Sequence, residues 1–322
     1  TENPSFLAVD PEARYLYAVN ELETFHGEPT GAVSVFSIER KSGMLTLLQQ
    51  VASLGGSPAH LTLDTSARNL LVANYSGGNV AVFPIGRDGQ LADPSAFVQN
   101  SGSSVNPERQ QGPHAHFIQT TPDNRLAIVA DLGLDKLLVH RFDADSGSLT
   151  PANPAFVSLD PGSGPRHVAF TPAGRFIYVV NELTSTVTGF KYQADSETVH
   201  RGQTISTLPM DYDGANTTAE IEVAATGRTL YVSNRGHDSI AVFSIDGNDG
   251  SLESLGWAPS GGEMPRHFTI DPTGQWLLAA NQGSGTVNLL RIDQASGQLT
   301  PTQRSFEVVA PVCLRFAPQP KE

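Results

Sequence analysis

The chain has 322 residues, of which 39% are hydrophobic and 16% are charged, and its formal net charge is −13. This acidic balance excludes nucleic acid and anionic membranes as main partners, because both require a basic surface. The single cysteine, Cys313, excludes an internal disulfide, and no apolar run approaches the ~18 residues of a membrane span. Thirty glycines and 22 prolines favour short strands joined by tight turns, so the composition predicts an all-β protein.

One phrase recurs along the chain, with 16 positions between its first residue and a closing Asn. In chain order, the copies begin at Pro4, Pro58, Pro165, Thr218 and Pro265, and a looser copy spans 113–131 and closes on Asp131. Each copy reads as two strands joined by a turn, then a third strand, a hairpin turn and a more variable fourth strand. Copies start about 50 residues apart, which is the period of four-stranded propeller blades.

The repeats predict a single β-propeller domain over residues 1–322, with six complete blades and the first strand of a seventh at residues 311–318. Because the chain begins directly with the first copy, we expect about 40 further residues upstream to supply the missing strands of that blade. The alternative is a six-bladed ring with an added C-terminal strand. The chain opens at Thr1, so a removed leader stays open, and the cytoplasm is favoured over the periplasm or secretion.

The topology of a blade selects one rim as the candidate site. In an antiparallel pair the first strand begins where the second ends, so the PRH and NE ends of one copy should meet. Arg166 and Glu182 are therefore expected at the same rim despite the 16 positions between them. The turns of the DP-x-G type should lie on the opposite rim and are interpreted as structural.

Charged and histidine side chains on this rim are expected to converge on one central funnel. Arg166 and Arg266 are suited to binding a phosphate or carboxylate and to stabilising an oxyanion. Glu182 or His116 is suited to activating water or delivering a proton. Further substrate-binding candidates on the rim are Glu21, His114, Asn181, His167, Arg235 and His267.

Structural interpretations compete with each of these assignments. Asn181 and its counterparts are more often turn caps, and His167 and His267 can be satisfied by neighbouring carbonyl groups. Arg166 and Arg266 can simply pair with Glu182 and other carboxylates as ties between blades. His114 and His116 could form half of a metal site, but no spacing supplies further ligands, so neither a metal nor another cofactor is predicted.

Several motifs together resemble a known family over essentially the whole chain: GPRHVAF-TPAGRFIYVVNELTSTV, GPHAHF, VADLGLDK and MPRHFTIDPTGQWLLAANQGSGTV. They are similar to the seven-bladed lactonase family, which includes propeller-type 6-phosphogluconolactonases and fungal 3-carboxy-cis,cis-muconate lactonizing enzymes. The resemblance implies a seven-bladed propeller of four-stranded antiparallel blades, completed by an N-terminal segment. It also implies an active site that falls, by motif, on His116, Arg166, Glu182 and Arg266.

The function expected from this resemblance is metal-independent hydrolysis of a sugar-acid lactone, with 6-phosphogluconolactone as the leading substrate and 6-phosphogluconate as the product. Two alternatives stay open, because one scaffold hosts several activities. One is a muconate-type cycloisomerase, and the other is a non-catalytic propeller that binds a small anion or a peptide. The expected partner in the enzyme is a small phosphorylated or carboxylated lactone, and no oligomeric state is predicted.

Overall fold

The computed structural model describes residues 1–318, which form twenty-four strands and no helix. The first twelve strands are β1 (Pro4–Val9), β2 (Tyr15–Asn20), β3 (Ala32–Ile38), β4 (Leu45–Ala52), β5 (Pro58–Leu63), β6 (Asn69–Asn74), β7 (Asn79–Pro84), β8 (Ala96–Gln99), β9 (Ala115–Thr120), β10 (Leu126–Asp131), β11 (Lys136–Asp143) and β12 (Ser148–Ser158). The remaining strands are β13 (Pro165–Phe170), β14 (Phe176–Asn181), β15 (Thr186–Gln193), β16 (Thr198–Ser206), β17 (Thr217–Val223), β18 (Thr229–Arg235), β19 (Ser239–Ile245), β20 (Leu252–Pro259), β21 (Pro265–Ile270), β22 (Trp276–Asn281), β23 (Thr286–Ile292) and β24 (Leu299–Glu307).

The strands form six antiparallel sheets of four, and each sheet takes four consecutive strands in sequence order. The chain divides into two compact units. Unit 1 contains residues 1–162 and the segment from Arg315, with the blades β1–β4, β5–β8 and β9–β12. Unit 2 contains residues 163–314, with the blades β13–β16, β17–β20 and β21–β24. The predicted all-β fold of four-stranded antiparallel blades is confirmed.

Strand register confirms the predicted rim. In the blade β13–β16, Pro165 pairs with Asn181, so the PRH and NE ends of the phrase lie together. The blades β5–β8 and β21–β24 have the same register, in the pairs Pro58 with Asn74 and Pro265 with Asn281. The turns between first and second strands consequently lie at the other end of each blade.

The core lies between neighbouring blades within each unit, because both faces of a blade carry apolar side chains. In unit 2, Val180 and Tyr178 of one blade pack against Leu230 and Phe243 of the next, and all four are fully buried. Burial of each large side chain stabilises the fold by about 1.5–3 kcal/mol. The Tyr178 hydroxyl also donates to the carbonyl oxygen of Gly250 at 2.8 Å, which joins the second strand of one blade to the next blade.

No strand is assigned to residues 311–318, so the expected first strand of a seventh blade is not confirmed. No strand pairs with this segment within the described part of the chain, and an extended segment without a ladder is not a β-strand. The segment instead contacts β21, where the backbone N–H of Leu314 donates to Nδ1 of His267 at 3.4 Å. Cys313 is half-buried beside the same ring, with its Sγ 3.8 Å from Nε2 of His267.

Candidate active site

A β-bulge near the start of the first strand places the predicted catalytic side chains. Pro165 pairs with Asn181 and His167 pairs with Val180, which leaves Arg166 as the extra residue. A bulge re-aims the side chain of its extra residue and is common beside active sites. The repeated sequence therefore provides a bulge position in the blade. The side chain at this position does not follow the alternating directions of the other side chains of the strand.

The same bulge recurs in other blades, and its occupant varies. In β21 the extra residue is Arg266, and in β9, where Phe117 and Ala115 pair with Ala130 and Asp131, it is His116. Blades β1–β4 and β5–β8 place Ser5 and Ala59 there. His116 is thus the structural equivalent of Arg166 and Arg266, whereas His114 precedes the strand.

Arg166 and Glu182 meet in unit 2 as the topology requires. Nε of Arg166 lies 2.9 Å from Oε2 of Glu182, and both side chains are buried. The same Oε2 atom lies 3.0 Å from Nη2 of Arg235, so one carboxylate oxygen contacts two guanidinium groups. The loop before β13 supports this arrangement, because the Glu182 backbone N–H donates to the Gly164 carbonyl oxygen at 2.7 Å.

Backbone carbonyls of β17 complete the environment of both arginines. Nη1 of Arg166 donates to the carbonyl oxygen of Ala219 at 2.7 Å, and Nη2 of Arg235 donates to that of Thr218 at 2.8 Å. These are fixed acceptors, because β17 is paired with β18 on either side of its own bulge. The guanidinium groups are therefore held in defined orientations before any ligand binds.

The cluster carries more positive than negative charge. Burial, together with the charges of Arg235 and Arg266, lowers the pKa of Arg166 to about 9, although Glu182 and Glu220 act in the opposite direction. Three arginines thus act on this site against two carboxylates. The guanidinium stays charged at neutral pH, but its environment is short of negative charge, which an anion would supply.

A second cluster in unit 2 contains two of the predicted substrate-binding histidines. Glu220 lies between them, with Oε1 3.1 Å from Nδ1 of His167 and Oε2 3.1 Å from Nε2 of His267. All three side chains are buried. Within residues 1–318, no group of three His, Cys, Asp or Glu side chains has a geometry suited to a metal ion.

In unit 1, both histidines of the H-x-H motif surround Tyr75. The His114 ring stacks on Tyr75 at 4.5 Å between centroids, and its Nδ1 lies 3.0 Å from the Tyr75 carbonyl oxygen. Nδ1 therefore carries a proton, since a carbonyl oxygen can only accept. His116 is buried and meets Tyr75 edge-on at 5.5 Å. The joint action of His116 with the unit 2 residues stays a prediction.

The remaining predicted residues differ in exposure and contacts. Asn181 is fully buried, and its amide donates to the hydroxyl groups of Thr186 and Thr188 at 2.9 and 3.0 Å, which is a structural role within its own blade. Glu21 is half-buried in unit 1, and its backbone N–H donates to the Asn3 carbonyl oxygen. Arg266 is half-buried in unit 2.

Sequence reasoning did not select two residues that the structure makes prominent. Glu220 occupies the position of the repeated phrase that is His167 or His267 in the neighbouring copies. This change from histidine to glutamate is the feature of the sequence that could have indicated Glu220. Arg109, from the long segment between β8 and β9, donates through Nη2 to the Tyr75 hydroxyl at 3.1 Å. No repeat covers that segment, so no pattern could indicate where Arg109 would lie.

Four-stranded antiparallel blades of this type, with a buried arginine–glutamate cluster, define a β-propeller protein. The chain belongs to the lactonase family of seven-bladed β-propellers, whose family model matches residues 1–316. The predicted resemblance is confirmed. No helix among the described residues is long and apolar enough to cross a membrane.

Relatives and solved structures agree with this membership. The chain is 34% identical over 317 residues to the 6-phosphogluconolactonase of Bacillus subtilis, which covers 98% of this chain and 88% of that protein. It is 33% identical over 299 residues to the 6-phosphogluconolactonase of Serratia proteamaculans, which covers 92% of this chain and 83% of that protein. The solved structure of the periplasmic gluconolactonase of Pseudomonas aeruginosa is 35% identical, with a TM-score of 0.91, and covers 99% of this chain and 90% of that one.

Proposed function

We propose that this protein hydrolyses a sugar-acid lactone, and that 6-phosphogluconolactone is its substrate and 6-phosphogluconate its product. The observation that carries the proposal is the buried Arg166–Glu182–Arg235 cluster, which is short of negative charge in a chain of the lactonase family. Relatives named 6-phosphogluconolactonase support the phosphorylated substrate. A lactone that carries a phosphate would bring the missing negative charge with it.

The reaction needs an attacking water, a stabilised oxyanion and a proton for the leaving oxygen. The water oxygen forms a bond to the ring carbonyl carbon, and the carbonyl electron pair moves onto oxygen. The ring C–O bond then breaks, the carbonyl reforms as a carboxylic acid, and the proton lost by water is returned to the departing alkoxide. Arg166 and Arg266 are assigned to the phosphate and the oxyanion, since guanidinium donors suit both.

The base that takes the proton from water is either Glu182 or His116, as the sequence predicts. Contact with two guanidinium groups makes Glu182 well suited to orienting Arg166 and Arg235. His116 occupies the bulge position that carries Arg166 and Arg266 in other blades. Variants at each residue separate these roles.

The test is the rate of 6-phosphogluconolactone loss above the spontaneous background, with and without a chelator, for the protein and its Arg166→Gln variant. We expect catalysis that survives the chelator and falls by about 10²–10³-fold in Arg166→Gln, the usual effect of removing one oxyanion donor. Arg175→Gln is the matched control, because Arg175 is an exposed arginine of the same blade that bonds to the carbonyls of Gly247 and Asn248. Equal rates for Arg166→Gln and Arg175→Gln would contradict the proposal.

The unphosphorylated δ-gluconolactone belongs in the same assay, since one solved relative is titled a periplasmic gluconolactonase. A phosphate-directed site should prefer the phosphorylated lactone, and that preference should fall in Arg166→Gln. The two alternatives give different results. A cycloisomerase would convert a carboxymuconate and leave both sugar lactones unchanged, and a pure binder would retain the product anion without accelerating either reaction.

A further inference from the structure

Glu220 differs from the corresponding residues of the neighbouring blades in unit 2. It occupies the third position of the repeated phrase, where β13 has His167 and β21 has His267. Its carboxylate is buried and reaches both rings, with both oxygen-to-nitrogen distances at 3.1 Å. The backbone N–H of Ile221 donates to the same Oε1 atom at 3.1 Å. The carboxylate therefore faces a donor from each of three residues.

The neighbouring backbone determines which nitrogen of His267 carries a proton. Leu314 donates its N–H to Nδ1 at 3.4 Å, so Nδ1 is an acceptor and the proton lies on Nε2. Nε2 then presents this proton at 3.1 Å from Oε2 of Glu220. Nδ1 of His167 faces Oε1, a carboxylate oxygen that can only accept, so this nitrogen is also a donor.

The two residues that precede Glu220 hold the arginines of the proposed site. The Thr218 carbonyl accepts from Arg235 at 2.8 Å, and the Ala219 carbonyl accepts from Arg166 at 2.7 Å. Glu220 anchors the same bulge on its other side, since its backbone N–H donates to Oγ of Ser233 at 2.9 Å. Three consecutive residues of β17 thus connect the histidine cluster to both guanidinium groups.

We propose that Glu220 is a positioning residue. Its carboxylate contacts His167 and His267 and thereby fixes the bulge of β17. The backbone carbonyls of this bulge orient Arg166 and Arg235 toward an anionic lactone. This inference rests on the proposed function. Glu220 does not contact the lactone and acts through the two arginines. Its negative charge also favours the charged form of Arg166, because it raises the pKa of that group.

The isosteric variant Glu220→Gln separates this role from simple packing. A glutamine amide has one acceptor oxygen and one donor nitrogen, so it places N–H against N–H at either His167 or His267. The volume of the side chain is unchanged. We expect kcat/KM on 6-phosphogluconolactone to fall by about 10- to 100-fold, since misplacement of binding groups by an ångström has effects of that size.

Glu222→Gln is the matched control. Glu222 lies on the same strand, is half-buried, and accepts from the Ile270 backbone N–H at 3.2 Å through Oε2. We expect its kcat/KM to match the unmodified protein. A second readout uses the unmodified protein: the imidazole N–H proton resonances of His167 and His267 should shift when 6-phosphogluconate is added, because the anion engages arginines tied to the same bulge. If Glu220 only fills space in the core, these resonances should not respond to 6-phosphogluconate.

Each outcome decides a separate question. Full activity in Glu220→Gln, under conditions where Arg166→Gln is inactive, overturns the positioning role and leaves the lactonase proposal intact. Full activity in Arg166→Gln overturns the lactonase proposal, and the positioning role with it. If Glu220→Gln shows no cooperative thermal transition, the histidine resonances decide: a shift with 6-phosphogluconate supports the role, and no shift overturns it.

Discussion

Arg166 and Glu182 are 16 positions apart in the chain, and their side chains meet with Nε of the arginine 2.9 Å from Oε2 of the glutamate. The pairing of Pro165 with Asn181 produces this contact, because it brings the beginning of β13 beside the end of β14. The bulge then turns Arg166 toward the carboxylate. The ion pair is therefore a direct consequence of hairpin register, and its burial makes both partners sensitive to substitution.

Substitution of Glu182 by glutamine should impair both stability and turnover. The variant keeps the side-chain volume and leaves Arg166 and Arg235 buried without the carboxylate they share. Breaking a buried ion pair in this way costs about 3–5 kcal/mol, because the remaining charge is uncompensated. We expect the free energy of unfolding, measured by urea denaturation, to fall by an amount in this range and lactone turnover to fall by about 10²-fold or more.

Glu253→Gln serves as the comparison, because Glu253 is exposed on the outer strand β20. Its unfolding free energy should stay within about 0.5 kcal/mol of the unmodified protein. Addition of 6-phosphogluconate should partly restore the stability of Glu182→Gln, since the anion supplies charge to the arginines. A variant as stable and active as Glu253→Gln would show that the shared carboxylate is not needed.

The bulge equivalence predicts that His116, and not His114, takes part in proton transfer. His116→Asn should lower kcat by about 10²–10⁴-fold, the usual contribution of a general acid or base, with little change in melting temperature. His114→Asn should mainly raise KM, because that ring lies outside the bulge and bonds the Tyr75 carbonyl. Steady-state kinetics of the two variants provide the test, and the reverse pattern would assign the proton transfer to His114.

Buried His140 should make the protein less stable in mild acid. It lies on β11 between Leu138 and Phe142, which pack in the core shared by the blades β5–β8 and β9–β12, and desolvation lowers its pKa. The folded state therefore favours the neutral ring. This contribution is fully present above the unfolded pKa of about 6.5 and is lost as pH falls below it, by at most about 1.4 kcal/mol per pH unit.

Urea denaturation of the unmodified protein and His140→Leu between pH 7.5 and 5 measures this contribution. The difference in unfolding free energy should move in favour of the leucine variant as the pH falls. His200→Leu is the control, because His200 is exposed on β16 and its replacement removes no buried ring. Parallel curves for the protein and His140→Leu would mean that His140 is not the source of acid sensitivity.

Tyrosine contacts between neighbouring blades should contribute measurably to stability. The hydroxyl groups of Tyr17, Tyr178 and Tyr231 donate to carbonyls of Gly89, Gly250 and Gly297 in the following blade. Tyr178→Phe leaves the Gly250 carbonyl without this donor and should cost about 1–3 kcal/mol. Thermal and urea unfolding measure the loss, and a variant as stable as the unmodified protein would show that water replaces the hydroxyl.

The glycine partners of these contacts are constrained by their surroundings as well as by conformation. Gly250 has a φ of +79°, and a Cβ there would collide with the Phe176 ring. Gly274 has a similar φ of +70° with open space around it. Gly250→Ala should therefore destabilise the protein by more than Gly274→Ala, whose cost is the left-handed backbone alone, roughly 1–2 kcal/mol. Equal losses of stability in the two variants would mean that the left-handed backbone alone, and not the contact with Phe176, accounts for the destabilisation.

Most of the fold could be predicted from the sequence because the blade is a local structure. The recurring distance from Pro165 to Asn181 and from Pro265 to Asn281 fixes hairpin length, and alternating residues fix the buried faces. The same periodicity underlies the prediction of a first strand at residues 311–318, which is not confirmed. The PVCLRFAP segment has the sequence of a first strand, but strand formation also needs a partner, and none pairs with it in the described part of the chain.

The sequence by itself determined the blades, the rim and the contact between Arg166 and Glu182, since all three follow from register within one hairpin. Only the tertiary structure decided that Arg235 shares the Glu182 carboxylate and that Glu220 lies between His167 and His267. Those contacts join different blades. They depend on how the sheets pack and on the direction in which bulges turn individual side chains. The spacing of residues along the chain does not directly encode the packing of the sheets or these side-chain directions.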